Sequence, residues 1–238
     1  MCKTADDVPR GVGTGTITAA VRSLLPNHPV CNEALNLAKS SLPASILYHS
    51  FRVYFYAQAF MTIFQDTDPT DPTPASIARA EPHVLFVACI LHDIGTSSVY
   101  DSVPERFEVV SADVAARLLR SHAIPEPAVR DAWLAMSLHT SPGIAERLGG
   151  TVRALRLAVR ADFGSYPHPP AEYVPGGAEA MNAIRWQLPR LEVEKELGDS
   201  VANQAISDPQ KAPKASWPGD LVRAKREHPG WDGVNKGF

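Results

Sequence analysis

Apolar positions recur at helical spacing along most of this chain, and no stretch sustains the two-residue alternation of a half-buried strand. The pattern predicts an all-α protein. "TITAAVRSLLP" (16–26) gives a short first helix, with Thr16 as its N-cap and Pro26 as its stop, and "CNEALNLAKSSLP" (31–43) gives a second. "PASILYHSFRVYFYAQAFMTIFQ" (43–65) predicts a long helix: Ile46, Tyr48, Val53, Phe55, Phe60 and Ile63 keep the period, with no internal Gly or Pro. A proline-rich loop, "DTDPTDPTPAS", follows. "EPHVLFVACILHDIG" (81–95) is apolar on every face, which predicts a buried central helix closed near its C-terminus by Gly95.

Three more amphipathic stretches predict helices. "SVPERFEVVSADVAARLLRSHAIP" (102–125) opens with Ser-Val-Pro-Glu, a favourable helix start, and is followed by "EPAVRDAWLAMSLHTSPG" (126–143) and "TVRALRLAVRADFGSYP" (151–167). A last helical region, 175–207, is interrupted at Pro189. The expected organisation is a flexible N-terminus over 1–15, a single helical domain over 16–207, and a Pro/Gly-rich tail over 208–238 that packs on the domain through Trp217 and Trp231.

Composition narrows the function. Of 238 residues, 45% are apolar and 21% charged, with a formal net charge of −3, so neither nucleic acid nor an anionic membrane is an expected partner. The longest apolar run, "HVLFVACIL", is too short to span a bilayer. The first residues, "MCKTADDVPRG", lack an apolar signal core, so a cytoplasmic location is expected. Cys2, Cys31 and Cys89 form no CxxC pair, which argues against a disulfide framework or a cysteine zinc site; Cys89 is expected as a small buried hydrophobe.

The candidate chemistry lies where apolar runs end in polar side chains. His49 sits within the long helix, His92 and Asp93 close the apolar one, His139 ends a later helix and Asp162 the next. Taken singly, His49 is most simply a core or surface histidine and Asp162 a helix-terminal carboxylate in a solvated turn, while His139 also admits a structural role, bonded to a helix-terminal carbonyl. Taken together they lie at core-facing positions where an unpaired polar group costs several kcal/mol. One bound cation would partner them all. The donors are nitrogen and oxygen, a set suited to Zn²⁺, with Fe²⁺ or Mn²⁺ as alternatives. Arg52, one turn after His49, is expected to buttress a carboxylate, and His28, His83, His122, His168 and His228 are expected to be solvated.

The order His49, then His92-Asp93 within "LFVACILHDIG", then Asp162 resembles the HD-domain metalloprotein superfamily, as does the context "YHSFRVYFYA". The resemblance covers about Ser45 to Tyr166. It implies a helical bundle with a metal held by His49, His92, Asp93 and Asp162. "LHDIGTS", "RFEVVSADVAARLL", "SLHTSPGIAE" and "WPGDLVRAKREHPGWDGVNKGF" are most similar to the cyanamide hydratases. Many HD phosphodiesterases carry "HDIGK", whereas Thr96 stands here in place of the lysine. Dinuclear members carry a His ligand at the position of Glu108, so a single metal is expected.

That closer resemblance implies a zinc-dependent hydro-lyase that converts cyanamide, or a similar small nitrile, to its hydrated product. His139 and Glu108 are the expected proton carriers, with Arg52, Thr96 and Thr140 around the ligands or substrate; for Glu108 a salt bridge with Arg52 or Arg106 is the competing role. The alternatives are an isonitrile hydratase, a nucleotide phosphohydrolase, which needs a basic pocket, and a non-catalytic small-molecule-binding module. The expected partner is a small neutral substrate, with self-association open.

Overall fold

The computed structural model describes residues 19–67 and 81–230, and among these every regular element is helical. The Thr16 cap, the first fifteen residues, most of the proline-rich loop and Trp231 lie outside the described residues. The α-helices are α1 (Ala19–Arg22), α2 (Pro29–Ser41), α3 (Ala44–Thr67), α4 (Pro82–Leu91), α5 (Phe107–Ser121), α6 (Glu126–Leu138), α7 (Gly150–Asp162), α8 (Gly177–Gln187), α9 (Val193–Ser207) and α10 (Trp217–Glu227), joined in places by short 3₁₀ turns. None is long and apolar enough to cross a membrane.

The all-round apolar sequence of α4 decides the architecture. A helix with no polar face must be wrapped on all sides, and α4 touches α2, α3, α5, α6 and α7. Every residue from Val84 to Leu91 is buried. Full burial of each large side chain among them contributes about 1.5–3 kcal/mol. The aromatic run of α3 faces the same core: Phe51, Tyr54, Phe55 and Tyr56 are buried, and the Tyr54 ring meets Phe86 of α4 edge-on at 5.0 Å. Cys89 is also buried, as expected.

Boundaries differ from the predicted ones for local reasons. Helix α2 starts two residues early because His28 caps it, its Nδ1 accepting from the Val30 N–H at 3.2 Å. Helix α5 starts at Phe107 rather than at Ser102, because the preceding segment is tied to the tail: Lys211 Nζ donates to the carbonyls of Tyr100 (3.0 Å) and Glu105 (3.5 Å). The tail contains a helix that its Pro/Gly content concealed. Ser216 caps α10 by accepting from the Gly219 N–H at 3.2 Å, and the buried Trp217 sets its ring against Phe107 at 5.8 Å.

Gly95 has a different role from the expected closure of the helix. Helix α4 ends at Leu91 with His92 as its C-cap, and Gly95 lies in the 3₁₀ turn Ile94–Thr96. Its N–H donates to Ser111 Oγ at 2.9 Å, and a Cβ there would overlap the Phe107 carbonyl oxygen. The glycine is needed so that the turn after α4 can lie directly on the start of α5.

Gly95→Ala is therefore expected to destabilise the fold by about 1–3 kcal/mol through overpacking. A thermal melt should show the midpoint falling by several degrees. An unchanged midpoint would mean that the two backbones separate freely.

Candidate metal centre

The ends of three helices deliver the polar side chains. His92 caps α4 and Asp93 follows it, His139 caps α6, and Asp162 is the last residue of α7. His49 joins them from within α3. None of the five is more than 3% exposed. Helix C-termini carry partial negative charge from unpaired carbonyls, so three ends converging here favour a cation.

Hydrogen bonds fix which ring nitrogen faces the centre. His92 donates from Nδ1–H to the Cys89 carbonyl at 2.7 Å, and His139 from Nδ1–H to the Met136 carbonyl at 2.6 Å. Both use an acceptor three residues back on their own helix. His49 donates from Nδ1–H to Asp162 Oδ2 at 2.7 Å. In the neutral rings every Nε2 then carries a lone pair. His49 Nε2 lies 3.2 Å from His92 Nε2; Asp93 Oδ2 lies 3.1 Å from His92 Nε2 and 3.7 Å from His49 Nε2, and Asp93 Oδ1 lies 3.5 Å from His139 Nε2.

Asp93 carries the argument for a cation. Both its carboxylate oxygens are buried without a hydrogen-bond partner, although imidazole nitrogens surround them. Leaving a buried charged acceptor unsatisfied costs more than the roughly 1–3 kcal/mol of a neutral one. The donor atoms of His49, His92 and Asp93 all lie within 4.8 Å of one another, so these three residues can hold a metal ion. The spacing fits as well: two nitrogens bound at 2.0–2.1 Å to a tetrahedral ion stand about 3.3 Å apart.

The electrostatics follow from burial and from these neighbours. Burial lowers the His49 pKa. Burial also works against charge on His92, but the adjacent Asp93 outweighs it and raises that pKa. For Asp93 burial opposes ionisation, yet His92 and His139 hold it well below the usual carboxylate range. Asp162 is likewise held down, against burial, by Arg52 and His49.

Around this cluster the structure places the other sequence-predicted residues. Asp162, expected as a fourth ligand, adjoins His49 at the ring nitrogen away from Asp93. Its oxygens accept from Arg52 Nε (2.7 Å) and Nη2 (2.8 Å), while Arg52 Nη1 donates to the carbonyls of Leu188 and Pro189. Glu108 is fully buried and paired with Arg106 through Nε (2.8 Å) and Nη2, and Thr140 Oγ1 donates to it at 2.6 Å. Thr96 Oγ1 donates to the Asp93 carbonyl at 2.7 Å, so its hydroxyl anchors the ligand's backbone.

Two features were not anticipated. Arg156, buried on α7, donates to the His139 carbonyl and to Glu146 Oε1, both at 2.9 Å, and so fixes the chain just after α6. Only its place in an otherwise amphipathic helix hints at this. The histidines expected to be solvated include a half-buried group away from the centre: His28 stacks on His83 at 4.3 Å, and His122 pairs with Glu33.

The fold and site thus define a helical protein with a buried His-His-Asp centre suited to a metal ion. The HD domain family matches residues 46–174, more than half of the chain, and the chain belongs to that family. No curated protein is similar enough to be matched.

Elemental analysis of protein prepared without chelator should find about one equivalent of divalent metal. His92→Ala and Asp93→Ala should each lose it and melt at lower temperature; full retention by both variants would remove the site. Asp162→Asn should weaken metal affinity about 10–100-fold if the carboxylate acts by orienting His49.

The centre should also respond to pH. Without the ion, protonated His92 beside Asp93 contributes stability below its ordinary pKa, which is lost as pH rises through the raised value. The ion needs the neutral ring, so the gap in melting temperature between metal-loaded and chelator-treated protein should widen from about pH 5 to about pH 8. A gap that widens toward acid would contradict this assignment.

Proposed function

We propose that this HD-family protein is a metal-dependent hydratase that adds water to a small neutral nitrile, cyanamide foremost, yielding urea. The observation that carries the reading is the pairing of charge around the centre. Arg52 is bound by Asp162, Arg106 by Glu108, Arg156 by Glu146 and Arg190 by Asp162 and Glu194, so none of these four arginines near the centre is left as a free cation. A phosphate ester would bring about two negative charges into a low-dielectric site where the bound ion alone would be left to meet them. A neutral nitrile makes no such demand. Thr96 agrees, since it offers a hydroxyl where a lysine would have offered charge.

A divalent ion, with zinc as the preferred candidate, supplies Lewis acidity and a water that is nucleophilic near neutral pH. The chain's own residues do the rest. His139 has Nδ1–H fixed on the Met136 carbonyl, which leaves Nε2 to take a proton from water and return it to nitrogen. In the balanced reaction N≡C–NH₂ and H₂O give H₂N–CO–NH₂, and both water hydrogens end on the former nitrile nitrogen. Glu108 has both oxygens engaged by Arg106 and Thr140, so its part is to position Thr140, the residue after His139, rather than to shuttle a proton.

His139→Ala is expected to keep its metal and lose about 10²–10⁴ in turnover, the usual worth of general acid–base catalysis. Loss of metal would make His139 a ligand. The substrate is tested by assaying metal-loaded protein side by side with cyanamide, organic nitriles, an isonitrile and nucleoside monophosphates. Phosphate release faster than nitrile hydration would overturn the proposal, and turnover of the isonitrile alone would change the substrate class.

A further inference from the structure

A cavity of about 380 Å³ opens at the end of the bundle that carries the metal centre. Arg106 before α5, Thr140, Ser141 and Ile144 after α6, and Trp217 and Asp220 of α10 line it. Its wall is one residue from the proposed proton carrier, since Thr140 follows His139. The two are also linked through rings: Phe107 lies edge-on to His139 at 5.6 Å, and Trp217 edge-on to Phe107 at 5.8 Å.

The lining specifies what fits. Its two charged members are already compensated within the chain, Arg106 by Glu108 and Asp220 by Arg223. An ionic ligand would find no uncompensated partner among them, so a neutral one is favoured. Trp217 and Ile144 give apolar surface. The Thr140 and Ser216 hydroxyls are engaged with Glu108 and the Pro213 carbonyl, while Arg106 bonds through Nε and Nη2 and keeps Nη1 as a donor for a guest. The volume lies at the small end of ligand pockets, yet it far exceeds what cyanamide fills.

We infer that this cavity receives the organic group R of a neutral nitrile R–C≡N, with R compact and largely apolar, and that Ile144 and Trp217 determine which R is accepted. The inference rests on the hydratase reading and extends its substrate class beyond cyanamide. In the balanced step R–C≡N and H₂O give R–CO–NH₂, with both water hydrogens transferred to nitrogen. Arg106 Nη1 is one donor available to a polar atom of the bound molecule, beside the Ser141 hydroxyl.

The test uses Ile144→Trp in the full chain. Ile144 is 56% exposed, so the larger ring can fill the cavity without entering the core. Benzonitrile and cyanamide are compared as substrates of metal-loaded protein, and benzamide binding is measured by calorimetry. The substitution is expected to lower the ratio of kcat/KM for benzonitrile to that for cyanamide about tenfold or more, and to weaken benzamide binding by a similar factor. An unchanged ratio, or benzamide that binds both proteins equally or binds neither, overturns the inference. If wild-type protein converts neither nitrile, the hydratase reading has failed, and the benzamide titration alone decides whether the cavity is a binding site.

Discussion

The Asp93 carboxylate, buried and ringed by imidazole nitrogens that make it no hydrogen bond, sets a demand that its surroundings must meet. An isolated ionised group does not persist in a dry interior unless something compensates it. Protonating Asp93 is one route, but its neighbours drive its pKa the other way. Protonating His92 is another, and the raised pKa of that ring shows the pressure to do so. A divalent ion removes the conflict, because it accepts the lone pairs that His49, His92 and Asp93 aim at one point. The apolar helix α4 is what makes the conflict sharp: it carries His92 and Asp93 deep enough that water is a poor substitute.

Burial of this kind has to be held in register, and buried ion pairs do the holding. Arg52 ties Asp162, and through it His49, to the carbonyls that follow α8. Arg156 ties the His139 carbonyl to Glu146, whose other oxygen accepts from the Gly143 N–H at 2.8 Å. Such pairs add little net stability over apolar residues of the same shape, but losing one partner typically costs about 3–5 kcal/mol. Their value here is positional. Each sits behind a histidine and fixes the ring or the backbone from which it projects.

The helical plan was legible in the residues because period and burial agree. Eight consecutive apolar residues, Val84 to Leu91, demand burial on every side, which in a chain without two-residue alternation reads as a central helix, and the aromatic face of α3 calls for a core partner. His49, His92 and Asp93 were legible for the converse reason, as polar groups that end or interrupt apolar runs. Contacts between distant segments were not. Nothing local in "SVPERF" shows that Lys211 will hold it out of α5, and nothing in "LHDIGTS" shows that Gly95 must admit the Phe107 carbonyl. The choice of Arg106 rather than Arg52 as the partner of Glu108 depends on the backbone path before α5, which spacing alone leaves open. Helix α10 escaped notice because Pro218 and Gly219 suggest a turn, whereas after a Ser cap they suit a first helical turn.

Charge compensation connects the architecture to the chemistry. Each arginine next to the centre has a carboxylate of its own, so the field at the centre is set by Asp93 and by whatever cation the site holds. A site arranged in this way gains little from a charged substrate. The attraction of the ion would have to offset desolvation of the substrate's charge, and no further side chain stands ready to complete the balance. A neutral molecule loses little on leaving water, and under the proposed hydration the polarity it would develop is local and brief. Positioned dipoles and one imidazole can meet that demand without reorganising. The same neutrality extends into the adjoining cavity, where Arg106 and Asp220 are compensated in turn. Selectivity among neutral molecules must then come from shape. Under the proposed hydratase reading that would place it at Ile144 and Trp217, on the segments after α6 and at the start of α10, rather than in the helical core that every other part of the centre requires to stay fixed.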